Sequence, residues 1–464
     1  MKELDLYREY MKHLPEGCLE AEVQAEKNQK QSVSFSDGIA VGMSSSEQTE
    51  LFVRASGEKT GMIYTQKLDE DPAQVFAKAM ENSELSRSGR PELMCSPETW
   101  KELGIDMALF QGQPEAEQTS ITELRQFAAG LETDLKEKAG ATGSTVIDVE
   151  ETLLTIGLVN SKGIDASAAT RRFEISVRTS GGEGEDAWGY SGYVSAAHLS
   201  DVTADYFCGQ IEAEKRQRCP ETAPVPGIYR AVLGPKTVNF LLLTGWQILS
   251  AKRVQNGASP IKAAVGERVF SPCITLRDYK NGDHLKTEMP CGFAWEIDCE
   301  GVPSQDVTLV ENGILKGFMH NLSSAETAGV VSTGNAGRKT LLSGNIHTDM
   351  AVMPKNFVME AGSDTLEELC KKCGDGIYIF ESYDQYHSLN VTTGDFAFPC
   401  QGIRIKDGKL QGLMKGLTMN GNICELFCQA EALGKDRLAF PLDMYQSYQV
   451  SGPAMLVSSL RVSG

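Results

Sequence analysis

Histidine is scarce in this sequence, with six residues in a chain of 464. His13, His198, His284, His320, His347 and His387 stand alone, and no two have the i, i+4 spacing that would put a metal pair on one helical face. A helical two-histidine metal site is therefore excluded. Long apolar runs are also missing: Phe240 to Leu243 is far too short to span a bilayer. The start, Met1 to Tyr7, is acidic and amphipathic, with neither the basic region nor the apolar core of a signal peptide. A cytoplasmic protein with no membrane attachment is expected. Basic residues are in deficit, 44 Lys plus Arg against 63 Asp plus Glu, a formal charge of −19. Such a chain repels a phosphate backbone, so nucleic acid is not expected as a direct ligand.

What is present suits an ordinary globular protein. Hydrophobic residues make up 41% and charged residues 23%, enough for two or three domains with a sizeable core. Twelve cysteines at irregular spacing suit a reducing compartment better than a disulfide framework, and free thiols are expected.

Helix signals at residues 2 to 14 and 72 to 87 bracket strand-like alternation from Ala21 to Gln66, with turns at Ser36-Asp37-Gly38 and Ser56-Gly57. A second set follows: helix 119 to 138, strands within 145 to 193, helix 199 to 218. Val53-Arg54-Ala55-Ser56-Gly57 recurs as Val177-Arg178-Thr179-Ser180-Gly181, which predicts a duplicated antiparallel meander with covering helices, as units 1–90 and 119–218. Three prolines between Cys219 and Gly227 mark a boundary, dividing the chain into domains 1–222 and 223–464. Beyond a helix at 235 to 254 the pattern turns to short strands (Val307 to Val310, Ile377 to Phe380, Gly402 to Ile405) with turns at Asn281-Gly282, Asn312-Gly313 and Asp407-Gly408. Thr365 to Cys373 and Ile423 to Ala432 are the remaining helix candidates. The expected fold is α+β, with a β-rich barrel- or sandwich-like C-terminal half and few helices.

Several chemical candidates are weak. Cys370-Lys371-Lys372-Cys373 has the spacing of a redox or zinc half-site, but no second pair lies near enough to complete it, so two thiols on one helical face is the favoured interpretation. The same holds for Cys424 and Cys428. Gly189-Tyr190-Ser191-Gly192-Tyr193 only half matches a nucleophile elbow, and Gly181 to Asp186 carries three carboxylates that would repel a phosphate.

The helix after Gly234-Pro235 places Val238, Leu241, Leu242, Trp246 and Leu249 at three- and four-residue spacing, as a core helix would. Downstream stand Gly301-Val302-Pro303-Ser304-Gln305, Val310 to Phe318, Thr333-Gly334-Asn335-Ala336-Gly337-Arg338, Thr392 to Phe396 and Lys415 to Asn422. In this order and spacing they resemble the TldD/PmbA (TldD/TldE) family of peptidases, a family also described as modulating DNA gyrase. The active subunit of that family carries His-Glu-x-x-x-His on this helix and a later cysteine, which together hold zinc. Ungapped alignment back from Gly266-Glu267-Arg268-Val269 puts Leu242 and Leu243 at the His and Glu positions and Gln247 at the second His. Leucine has no lone pair for a metal, and a glutamine amide replaces imidazole poorly. The last cysteine here is Cys428, and the tail beyond Gly434 is shorter than in the active subunit.

The resemblance is thus to the PmbA/TldE-type subunit, which lacks the zinc motif. It implies no catalytic residue and no metal in this chain, zinc on a TldD-like catalytic partner in a heterodimer, a homodimer when that partner is absent, and short or unfolded peptides as substrates. In the partner the metal would polarise the scissile carbonyl and lower the pKa of bound water. Trp246, Asn321, Asn335, Arg338, Asn420 and Asn422 are candidate cleft or peptide contacts; for each asparagine a turn role is the plainer alternative. Two rival functions stand beside this one: a self-sufficient metallopeptidase with another metal set, and a binding module without cleavage.

Overall fold

A computed structural model describes residues 1–85, 92–111, 117–216, 219–281, 296–338, 350–440 and 448–464. The alternating N-terminal segments form one six-stranded antiparallel sheet: β1 (Glu20–Ser36), β2 (Ile39–Ser56), β3 (Thr60–Thr65), β4 (Val146–Asn160), β5 (Asp165–Gly181) and β6 (Trp188–Ala196). Its strand order, β3-β2-β1-β4-β5-β6, is two meanders joined through their first strands. Asp37 (φ 47°) and Gly38 (φ 86°) make the tight turn between β1 and β2, where a left-handed backbone favours these residue types.

Helices cover one face of each meander, because an antiparallel sheet with an apolar face needs a lid. On the first, α1 (Asp5–Tyr10) and α2 (Pro72–Ser83) bury Tyr7 and Phe76 against Val23 and Val53. On the second, α4 (Ile121–Ala139) and α5 (Ala204–Arg216) bury Leu124, Leu135 and Phe207 against Val149, Ile175 and Val177. Ser120 and Glu123 start α4 with a reciprocal capping box. Arg54 on β2 and Arg178 on β5 occupy corresponding strands, yet Arg54 is fully buried and Arg178 is exposed. Between the meanders, the short helix α3 (Pro97–Glu102) docks Trp100 on Leu158, Ile297 and Val302, and Trp100 Nε1 donates to Gly301 O at 3.0 Å.

The rest is built from β7 (Gly227–Leu233), β8 (Leu276–Tyr279), β9 (Val307–Glu311), β10 (Ile314–Leu315), β11 (Ala336–Gly337), β12 (Ala351–Val352), β13 (Asn356–Met359), β14 (Gly376–Ser382), β15 (Asp395–Lys406), β16 (Lys409–Asn422), β17 (Ala430–Phe440) and β18 (Gln449–Ser463). Pairings run β18-β16-β15-β14-β7 and return to β18, so these strands close a ring; β17 and β13 pair along the start of β18. One face of this sheet buries α6 (Pro235–Gly245), and the other carries α9 (Leu366–Cys373) over Val232, Tyr378 and Leu456. Asn312-Gly313 and Asp407-Gly408 adopt left-handed hairpin turns as expected. Gly282 lies outside the described residues.

The structure departs from the expected helices in several places. The helix expected at 235 to 254 stops at Gly245, continues as a 3-10 turn over Trp246–Leu249, and restarts as α7 (Ala251–Gln255). Ser250 is extended because Leu249 and Ala251 exchange backbone hydrogen bonds with Met319, a tertiary pairing that helical periodicity cannot reveal. The helix expected over Ile423 to Ala432 is only α10 (Ile423–Cys428), since Ala430 already pairs with Val457. Two short helices, α3 and α8 (Leu322–Ala328), form where none was expected.

Candidate functional site

Two places in the fold are chemically distinctive: the helix onto which the sequence resemblance would map a metal motif, and a buried polar seam between the sheets. On α6, Leu242 and Leu243 are 1% and 0% exposed. Leu242 rests on the backbone of β18: a Cβ at Gly452 would stand 3.0 Å from Leu242 Cδ1 and 2.8 Å from Val238 Cγ1. Tyr448 closes the end of the helix, donating from its hydroxyl to Leu243 O at 2.8 Å and meeting the Trp246 ring edge-on at 5.5 Å. Gln247 is half-buried on the 3-10 turn. Among the described residues, no three His, Cys, Asp or Glu side chains are grouped to hold a metal. Hydrocarbon packed against a strand cannot ligate zinc, so the residues at this position do not fit the ion.

The polar seam lies on the face of the N-terminal sheet opposite its helices. Arg54 donates from Nε and Nη2 to Glu22 Oε1, at 3.0 and 2.6 Å, and from Nη1 to Glu92 at 3.2 Å. Burial works to lower the Arg54 pKa, but Glu22, Glu92 and Glu300 together hold it raised. Burial also raises the Glu300 and Asp298 carboxyls, and each of the two is fully desolvated. Asp298 accepts the backbone N–H groups of Glu300, Val302 and Ala336 at 2.8 to 2.9 Å, while Glu300 accepts that of Leu322 at 2.8 Å. Deeper still, Asp278 accepts from Asn335 Nδ2 at 2.7 Å and from the Lys355 N–H at 2.8 Å, and burial pushes its carboxyl up to about 6. Burial lowers the pKa of Lys355, whose ammonium donates to Gly334 O.

Of the six nominated contacts, Asn335 and Arg338 meet in this seam. Asn335 is saturated, bonding Asp278, Met353 O and the Thr333 hydroxyl. Arg338 stacks its guanidinium over Phe52 and donates to Gln24. Asn321 and Asn422 are helix N-caps, for α8 and α10. Asn420 ties β16 to Ser463 on β18. Trp246 is buried, and its indole N–H has no partner among the described residues. Burial pushes the Cys370 thiol up to about 12, and both Cys370 and Cys373 lie on the buried face of α9. Each described cysteine is a free thiol. His320 is buried, with its pKa lowered by burial, and the exposed His387 bonds Asp384 at 2.6 Å; His284 and His347 lie outside the described residues. No sequence pattern marked Glu22, Asp278, Asp298, Glu300 or Lys355, because folding alone buries them, and partners such as Arg54 for Glu22 and Asn335 for Asp278 come from distant parts of the chain.

The fold is strand-rich α+β, with helices covering its sheets. The profile of the PmbA/TldA metallopeptidase C-terminal domain matches residues 226–464, and the chain belongs to that family. An uncharacterized protein of Methanocaldococcus jannaschii is 32% identical over 201 residues, covering 43% of this chain and 44% of that protein. The chain therefore spans less than half the length of this relative. The metalloprotease TldD homolog of Haemophilus influenzae is 24% identical over 429 residues, 88% of this chain and 83% of that protein. TldE from Thermococcus kodakarensis shares the fold at a TM-score of 0.76 and 18% identity, with 99% of this chain and 100% of that chain covered. No helix among the described residues is long and apolar enough to cross a membrane.

Proposed function

We propose that this chain is the non-catalytic, PmbA/TldE-like subunit of a two-subunit cytoplasmic peptidase, paired with a TldD-like chain that carries the zinc. The single observation that supports this reading is the packing of Leu242 onto Gly452, hydrocarbon where the resemblance would map a metal ligand. The subunit contributes walls, peptide contacts and dimer stability, with residues 1–222 and 223–464 acting as two domains. Among the nominated contacts, Trp246 and Arg338 keep unpartnered N–H groups, so they are the ones proposed to meet peptide.

Assembly is supported by the edge of β2. Among the described residues, Ile39 to Glu50 pair with β1 alone, and Ile39, Val41 and Met43 are 65%, 64% and 61% exposed. An open strand edge with an apolar row is an aggregation hazard unless another chain covers it. A homodimer forms in isolation and a heterodimer when the partner is present. The test is co-expression with a TldD-like chain: peptide cleavage should require both chains, with metal on the partner only. Cleavage by this chain alone would favour the self-sufficient enzyme, and binding without cleavage by the pair would favour the binding module.

A further inference from the structure

We infer that Arg338 is the receptor for a ligand's carboxylate, which docks side-on against Nε and Nη2 of the guanidinium. Only 3% of Arg338 is exposed. Its guanidinium carbon lies 4.6 Å from the Phe52 ring centroid, and Nη1 donates to Gln24 Oε1. Gln24 is itself oriented, since its amide Nε2 donates to Glu26 at 3.0 Å and so turns the carbonyl toward the arginine. Among the described residues, Nε and Nη2 have no acceptor.

The neighbouring Arg54 shows what belongs there. Glu22 faces Arg54 across β1 and β2, and Gln24 faces Phe52 one step along the same face. Glu22 fills the Nε and Nη2 edge of Arg54 with a carboxylate oxygen. On Arg338 that edge has no acceptor among the described residues, and the strand partner at Nη1 is the neutral amide of Gln24 instead of an acid. A buried cation is costly unless paired, and the planar two-donor edge of arginine matches a carboxylate. The next pair along the face, Glu26 opposite Glu50, would repel a dianion more than a single carboxylate, which favours carboxylate over phosphate. The proposal rests on the peptide-binding reading only for the source of that carboxylate, a peptide C-terminus.

The test is calorimetric titration of the full chain with acetate, an N-acetylated tetrapeptide, the same peptide as its C-terminal amide, and inorganic phosphate. Acetate and the free-acid peptide should bind, the amide at least tenfold more weakly, and phosphate no tighter than acetate. Arg338→Lys, which keeps the charge but not the two-donor edge, should weaken binding at least tenfold. Gln24→Glu supplies an internal carboxylate and should abolish binding while preserving or raising the melting temperature, so the site stays testable even if an Arg338 variant misfolds. Absence of acetate and peptide binding, phosphate binding alone, or full binding by both variants would overturn the assignment. Acetate binding that depends on Arg338, with no preference for free-acid peptide over amide, would sustain the carboxylate site and reject the peptide reading.

Discussion

Leu242 of α6 and Gly452 of β18 are in direct contact, with no room for a Cβ on the strand: it would stand 3.0 Å from Leu242 Cδ1 and 2.8 Å from the stiff, β-branched Val238. Gly452→Ala should therefore cost roughly 1–3 kcal/mol in urea unfolding, the usual penalty for overpacking a filled core. A variant as stable as the parent would show that α6 does not rest on β18.

The same contact bears on metal. Restoring the motif with Leu242→His, Leu243→Glu and Gln247→His should yield no stoichiometric zinc and a loss of several kcal/mol, because polar groups would be buried without partners. Metal analysis finding one tightly held zinc per chain, in the parent or in the triple variant, would contradict this.

Breaking the pair between Arg54 and Glu22, both 1% exposed at the side chain, leaves a buried guanidinium short of its partner. Glu22→Ala should cost roughly 3 kcal/mol, near the low end for a broken buried pair because Glu92 stays within 3.2 Å. Replacing both residues by apolar ones, Glu22→Leu with Arg54→Met, should recover most of the loss. Chemical denaturation of the single and double variants settles it.

Asp278 makes stability fall as pH rises. Burial raises its folded pKa to about 6 from 3.8, so the folded state binds more protons than the unfolded state in that interval. Its contribution is fully present below the unfolded value and lost as pH rises through about 6. Asp298 and Glu300, also raised by burial, act with the same sign. In Asp278→Asn, unfolding free energies between pH 4 and 6 should have a slope less negative by up to about 3 kcal/mol in total. An unchanged slope would mean that Asp278 is not desolvated.

The exposed row on β2 makes assembly testable. The chain alone should sediment as a dimer at micromolar concentration, with more than about 1,000 Å² buried between subunits. Val41→Glu, at a position 64% exposed, should shift it toward monomer without lowering the melting temperature of the monomer. A monomeric parent that also fails to associate with a TldD-like chain would contradict the proposed subunit role.

Local physics carried much of this protein in its sequence. Period-two alternation from Ala21 to Gln66, the repeated Val-Arg-x-Ser-Gly segments, and left-handed turns at Asp37-Gly38, Asn312-Gly313 and Asp407-Gly408 specify meanders and hairpins through neighbouring residues alone. That the side chains of Leu242 and Leu243 cannot ligate a metal was equally legible, because leucine has no lone pair in any context.

Only the tertiary structure decided what depends on partners far along the chain. Ser250 breaks the long helix because Met319 pairs with its neighbours, and Asn321 and Asn422 prove to be caps through hydrogen bonds that no spacing announces. The seam joins Asp278 to Asn335, 57 residues apart, and Gln24 to Arg338, 314 apart. A charge becomes unusual only when folding removes its water, and whether an acid or an amide then faces it is set by strand register. That is why Arg54 and Arg338, indistinguishable as letters in the sequence, end one ion-paired with Glu22 and one bonded to the neutral amide of Gln24.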